Sequence, residues 1–287
     1  MPKDVQDLSK AIIEEVSLQS GSHRLVGRLF KPTGTPSVAV LLNGATGVPQ
    51  SYYQPFAEWL AVEKGYACLT YDYRDFAASQ TVPMRDSDAD MVTWGVDDQM
   101  AARSFLKEQY PDQPLWIVGH SLGAMLLNFQ KHTGNIDRII TVASGMAYWP
   151  VHPMPYRLLA LTFWYGHAPL LTRLFGYLPG KRMGLGADLP PGVYWQWRRW
   201  CTSPDFYSAD IGDALSETDP VEAPTKVVAI ADDQMMPPAA VWRLMAAYPD
   251  APKKQLTIWP KKYGIDKIGH IGIFDRKSAA AWPDIMA

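Results

Sequence analysis

Short apolar runs alternate with amphipathic stretches over most of the chain. Two β-leaning segments between Ile12 and about Phe30 flank "QSGSHR", as the arms of an antiparallel hairpin do. "SVAVLLNG" is apolar, rich in β-branched residues, and ends at Asn43-Gly44, which suits a strand buried on both faces. Tyr53, Phe56 and Leu60 then recur at helical spacing, and Gly65 follows Lys64 where a helix C-terminus favours glycine. "YACLTYDYR" predicts a strand. The stretch from Asp97 to Tyr110 predicts a helix, opened by acidic residues and stopped before Pro111. "PLWIVGHS" predicts a strand, Leu122 to about His132 a helix ending at Gly134, and "DRIITVAS" another strand.

The alternation stops at about Met146. From there to Ala214 large side chains crowd together (Tyr148, Trp149, Trp164, Tyr165, Trp195, Trp197 among them), punctuated by "PVHPMPY" and "GYLPGKRMGLGADLPPG". Regular order resumes with "TKVVAIADD" as a strand, "AAVWRLMAAY" as a helix and "KQLTIWP" as a strand, with a short element after His270. Alternating strands and helices predict an α/β fold, a mostly parallel sheet covered by helices on both faces. Its core spans residues 1–145 and 215–287, and residues 146–214 are an insertion between two sheet strands. There is no internal repeat.

Composition narrows the function classes. The 287 residues carry a formal charge of −2 without a lysine or arginine run, so no nucleic-acid partner is expected. The two cysteines, Cys68 and Cys201, make no disulfide framework and no metal spacing, and Cys68 lies in an apolar strand as a buried free thiol. "MPKDVQDLSKAIIEEV" is charged where a signal peptide is apolar, and no apolar segment reaches the ~18 residues that span a bilayer. A soluble, cytoplasmic protein without a transmembrane segment is expected.

Candidate chemistry begins at "LWIVGHSLGAMLL". A nucleophilic serine needs an exposed hydroxyl, a base, a group to orient that base, and donors for the oxyanion. Between a buried strand and a helix, Ser121 sits on a tight turn, where Gly119 and Gly123 remove side chains that would clash. The bland alternative is a glycine-rich connection with no chemistry. "VVAIADDQMMPP" puts Asp232 and Asp233 at the end of a strand, where parallel sheets bind ligands. An aspartate there can accept the Nδ1 hydrogen of a histidine, and Asp233 is preferred to Asp232 for its distance from the following prolines. The alternative for it is an Asx-type turn or a helix cap. "IGHIGIFD" supplies His270 on a glycine-flanked loop past the last strand, whereas His120 shares a turn with Ser121 and should point away from its hydroxyl. The order Ser121, Asp233, His270 is that of nucleophile, acid and base on one scaffold. "LLNGATG" offers a turn of small residues, and the amides of Ala45 and Leu122 are expected to form an oxyanion hole.

These stretches resemble the α/β-hydrolase family. "GHSLG" is similar to its nucleophile elbow, "DQMMPP" to its acid loop and "GHIGIF" to its histidine loop; the likeness spans nearly the whole chain outside the insertion. "YDYRDFAAS" extends it toward hydrolases of the serine aminopeptidase and monoacylglycerol lipase–lysophospholipase type. Asn43-Gly44 departs from the His-Gly of many relatives, so Asn43 must hold the oxyanion loop by a different hydrogen bond. The resemblance implies that residues 146–214 form a mostly helical lid. Trp149, Trp164 and Tyr165 would then roof an apolar pocket, unless they only pack the lid onto the core, and "LLALTFWYGHAPLL" could touch lipid transiently or act as a gate.

The expected activity is a serine esterase acting on esters with an apolar acyl or alkyl part, with no cofactor and no metal. The rivals are a thioesterase, an amidase or peptidase, an acyltransferase, and a non-catalytic ligand-binding protein of the same fold.

Overall fold

A computed structural model describes residues 10–216 and 218–287; most of the stretch read as lacking a leader lies outside them. Eight strands form one sheet: β1 (Ile12–Ser20), β2 (His23–Lys31), β3 (Ala39–Asn43), β4 (Ala67–Tyr71), β5 (Leu115–His120), β6 (Arg138–Val142), β7 (Thr225–Ile230) and β8 (Lys253–Ile258). The order across the sheet is β1-β2-β4-β3-β5-β6-β7-β8. The β1–β2 hairpin joins β4 antiparallel, and the other pairings are parallel.

Strand pleating divides the core in two. On β3, Ala39 and Leu41 point to the cluster that holds Trp94, Ala102 and Leu106, whereas Val40 and Leu42 point to the cluster with Phe56, Phe274 and Trp282. Helix α1 (Gln54–Lys64) and the C-terminal α7 (Trp282–Met286) therefore cover one face, and α2 (Gln99–Gln109) the other. Helix α1 ends where predicted, on Gly65 at φ 66°, with the Gly65 amide on the Leu60 carbonyl.

The helix expected from Leu122 to His132 does not form. A 3-10 turn at Ser121–Ala124 is followed only by short 3-10 turns at Leu127–Phe129 and Thr133–Asn135. Distant side chains occupy the carbonyls a helix would use. Gln99 Nε2 donates to Leu122, Asn43 Nδ2 to Gly123, Tyr248 Oη to Ala124, Thr218 Oγ1 to Asn128 and Gln130, and Arg103 to Lys131. Tertiary hydrogen bonds have outcompeted the local ladder.

Between β6 and β7 lie α3 (Tyr156–Thr162), a π-turn (Phe163–His167), α4 (Ala168–Phe175) and α5 (Pro191–Cys201). Their buried residues, Trp164, Tyr194 and Trp200 among them, join the same core cluster as α2. Polar tethers complete the docking: the Val92 amide donates to Gln196 Oε1 (3.1 Å), and Arg243 Nη2 to the Pro204 carbonyl (2.9 Å). Among the described residues no helix is long and apolar enough to cross a membrane. Both cysteines are buried and free.

Candidate active site

Strand β5 delivers Ser121 onto a turn with φ 53°, a left-handed conformation that a non-glycine residue adopts only when its surroundings enforce it. Here they do. A Cβ on Gly119 would lie 2.4 Å from Ala124 Cβ, and one on Gly123 would lie 2.1 Å from the Asn43 carbonyl oxygen. Both glycines are thus steric requirements of a turn pressed against the end of β3. Ser144, just past β6, donates its hydroxyl to the Ser121 carbonyl at 2.5 Å. Nothing in the sequence singled it out.

Past β7 and β8 the structure brings Asp233 and His270 together. Nδ1 of His270 lies 2.7 Å from Asp233 Oδ2, while Asp233 Oδ1 accepts the amides of Met235 (2.9 Å) and Met236 (2.8 Å). Burial alone would push this carboxyl up. The imidazole, its hydrogen bond and the two amides outweigh burial and hold it below the usual carboxylate range. Of the adjacent aspartates, Asp232 faces elsewhere: its two oxygens accept the amides of Ile268 (2.9 Å) and Gly269 (3.0 Å), anchoring the loop that carries His270. The spacing to the prolines favoured Asp233 as the partner of the histidine, but nothing in the doublet pointed to the anchoring role of Asp232.

His120 Nδ1 is hydrogen-bonded to Tyr53 Oη and Nε2 to the His270 carbonyl, and its ring centroid is 5.2 Å from that of His270. Ser121 and His270 are each 9% exposed, so the site opens only narrowly to solvent. An imidazole oriented by a buried carboxylate can accept a proton at its other nitrogen. The carbonyl of His270 accepts from Nε2 of His120, the residue before Ser121, at 3.0 Å, so the histidine loop reaches the elbow.

The two amides expected to hold an oxyanion differ. Leu122 opens the first turn after Ser121, where amides lack an intrahelical acceptor. The Ala45 amide already donates to Tyr53 Oη at 2.8 Å. The side chain of Asn43 ties the end of β3 to the elbow and to two other elements rather than to the loop that follows it: Nδ2 donates to the Gly123 carbonyl (3.0 Å) and Gln99 Oε1 (3.2 Å), and Oδ1 accepts from Tyr71 Oη (2.8 Å).

The three aromatics named for a pocket have partners within the insertion. Trp164 is buried against Phe163, Tyr194 and Trp197, Trp149 meets Tyr165 edge-on at 6.2 Å, and Tyr165 lies half exposed beneath the Arg198 guanidinium. At the β2–β4 side of the sheet, His23, Asp75 and Asp88 bring ligand atoms within 4.8 Å of one another. Asp75 accepts the Thr81 hydroxyl on Oδ1 (2.9 Å) and the Ser87 hydroxyl on Oδ2 (2.8 Å).

Comparison with known proteins agrees with this architecture. No curated protein matches the sequence. An esterase from Pyrococcus furiosus superposes with a TM-score of 0.59 at 13% identity, over 99% of this chain and 94% of its own. A thermostable carboxyl esterase from Bacillus coagulans, in complex with glycerol, gives 0.55 at 15% identity over 85% and 90%. A thioesterase domain from the curacin biosynthetic pathway gives 0.51 at 18% identity over 96% and 100%. At such identities the likeness is one of fold. The profile of the alpha/beta hydrolase family matches residues 39–279, most of the chain, and the protein belongs to that family.

Proposed function

We propose that the protein is a serine hydrolase of carboxylic esters with an apolar acyl or alkyl part. Ser121 Oγ attacks the ester carbonyl as His270 Nε2 removes its proton. The tetrahedral intermediate collapses to an acyl-enzyme when His270 returns that proton to the leaving alcohol. Water, deprotonated by the same nitrogen, then releases the acid. Asp233 fixes the imidazole with Nδ1 protonated and stabilises the imidazolium. The Leu122 amide serves the oxyanion, joined by the Ala45 amide when it exchanges Tyr53 Oη for the substrate oxygen; one such donor contributes about 3 kcal/mol in comparable sites.

One observation carries this reading: a buried carboxylate 2.7 Å from the Nδ1 of a histidine whose loop is hydrogen-bonded to the residue before a glycine-flanked, left-handed serine. Residues 146–214 act as a lid, and their aromatic content favours an apolar substrate over the charged α-amine that an aminopeptidase binds. The lid also suits transient lipid contact. Leu158, Leu159, Leu170 and Leu174 are exposed along α3 and α4. No aspartate or glutamate occurs between residues 138 and 187, whereas Arg157, Arg173, Lys181 and Arg182 do.

The test is labelling with a fluorophosphonate together with hydrolysis of p-nitrophenyl esters of graded chain length. Wild type should label and show a chain-length optimum, and Ser121→Ala should do neither. Labelling that survives Ser121→Ala would refute the mechanism. Turnover of acyl thioesters far exceeding that of oxygen esters would favour the thioesterase reading.

A further inference from the structure

His120 precedes the serine, takes no part in the proposed chemistry, and yet is wholly buried with both ring nitrogens engaged. The directions of its bonds follow from the partners. The Ala45 amide can only donate, so Tyr53 Oη accepts from it (2.8 Å), and the tyrosine's own hydrogen points to His120 Nδ1 (2.8 Å). The His270 carbonyl can only accept, so His120 Nε2 carries the hydrogen and donates to it at 3.0 Å. A single line of hydrogen bonds thus runs from the turn after β3, beneath the elbow, to the backbone of His270. Burial drives the His120 pKa down to about 3, so the ring stays neutral and keeps Nδ1 as an acceptor.

The far end of that line is a loop held residue by residue. Asp232 accepts the amides of Ile268 and Gly269, His120 donates to the carbonyl of His270, and Tyr52 Oη donates to the carbonyl of Ile271 at 2.9 Å. Gly269, at φ 64°, makes the bend that the loop needs. Adjacent tyrosines therefore reach the same loop, Tyr52 directly and Tyr53 through His120.

We propose that Tyr53 and His120 are positioning residues that register the His270 loop against the turn at Ala45 before substrate enters. The Ala45 amide then leaves for the substrate oxygen, while the Tyr53–His120–His270 part of this hydrogen-bonded strut continues to hold the base. The proposal rests on the serine-hydrolase reading. A leucine at position 120 would fill the space and lose both bonds, whereas a glutamine carries one donor and one acceptor and can restore them.

The experiment compares Tyr53→Phe, His120→Leu and His120→Gln. It measures kcat and KM on one p-nitrophenyl ester, together with the low-field proton resonance of the His270 Nδ1–H. Tyr53→Phe and His120→Leu should lower kcat about 10- to 100-fold with KM within about twofold, as a displaced catalytic group does. Both should move or broaden the His270 resonance. His120→Gln should recover most of kcat and restore that signal. Folded Tyr53→Phe and His120→Leu proteins with wild-type kcat and an unmoved resonance would overturn the proposal. So would a His120→Gln protein as impaired as His120→Leu, since volume alone would then matter. If His120→Leu does not fold, Tyr53→Phe and His120→Gln still decide. Ser121→Ala separates the two levels: labelling lost there while the strut variants stay fully active removes only the strut, whereas labelling that persists removes the underlying mechanism as well.

Discussion

The strand-end site and the insertion above it are built on opposite terms. At the strand ends, Asn43, Tyr53, His120, Asp232 and Asp233 are buried or nearly so, and their side chains are hydrogen-bonded across elements far apart in sequence. Polar side chains fixed in this way are what pre-organised chemistry demands. In the insertion, leucines on α3 and α4 face solvent. The insertion instead leaves large apolar side chains in water. On the proposed function, geometry at the strand ends sets the reaction and the insertion selects what reaches it.

Substitutions at the site should therefore be far more damaging than comparable ones above it. Asp233→Asn keeps the shape but alters the hydrogen bond at Nδ1, and kcat should fall about 10⁴-fold, as in other triads; a loss under tenfold would remove Asp233 from the mechanism. The glycines make the contrast in stability. Gly123→Ala drives a Cβ to 2.1 Å from a carbonyl oxygen of β3, and should cost about 3 kcal/mol or more or prevent folding. Gly166→Ala, in the π-turn, meets nothing within 4 Å and should leave stability within about 1 kcal/mol of wild type, on the stabilising side. Urea titration of both variants reads the difference directly, and equal losses would break the comparison.

How far the sequence reveals each region follows the same division. "GHSLG" is legible because sterics at a strand–turn junction admit little besides glycine around the serine. Asp233 and His270 are legible because parallel strands put functional residues at their carboxyl ends, in chain order. The assignment between Asp232 and Asp233 depends on which way each carboxylate turns, and that is settled by amides at Ile268 and Gly269 some 36 residues on. The missing helix after Ser121 has the same origin, since apolar periodicity in "LGAMLLNFQ" cannot register that Gln99, Tyr248 and Thr218 will take its carbonyls. Tyr53 reads as one more apolar helix position, and its hydroxyl's reach to Ala45 and His120 exists only once α1 has docked. Within the insertion no period of 2 or 3.6 persists long enough to give the elements between Met146 and Ala214.

A titration sharpens the contrast further. His120 is neutral when folded, with its pKa lowered to about 3 by burial, with His270 reinforcing this and the His270 carbonyl and Asp233 opposing it. In the unfolded chain an ordinary histidine protonates near 6.5. Between those values the unfolded state binds the extra proton, so this group's share of stability is complete above about 6.5 and declines as pH falls. The slope is about 1.4 kcal/mol per pH unit, or about 2–3 kcal/mol between pH 6.5 and 4.5. Chemical denaturation across that range should show the decline in wild type and a shallower one in His120→Gln. Parallel curves would mean that His120 does not remain neutral in the folded protein.

The smallest effect is expected on the insertion's outer face, and it asks whether that face meets lipid at all. Leu170 and Leu174 are 66% and 72% exposed on α4, and Arg173 lies between them in sequence. Burying one leucine in an acyl boundary gains about 1.5–3 kcal/mol, and anionic headgroups add about 1 kcal/mol for each nearby cation. Wild type should therefore sediment with vesicles containing phosphatidylglycerol more than with pure phosphatidylcholine. Leu170→Glu should weaken that binding about tenfold, because it removes an apolar anchor and adds the charge that this surface excludes. Hydrolysis of a short, water-soluble p-nitrophenyl ester should stay within twofold of wild type, since the substitution is remote from Ser121. Equal affinity for both vesicle types would leave the apolar anchor and remove the charge selectivity. A Leu170→Glu protein that binds like wild type would remove the lipid contact, and the insertion would then act on substrates that diffuse to it from water.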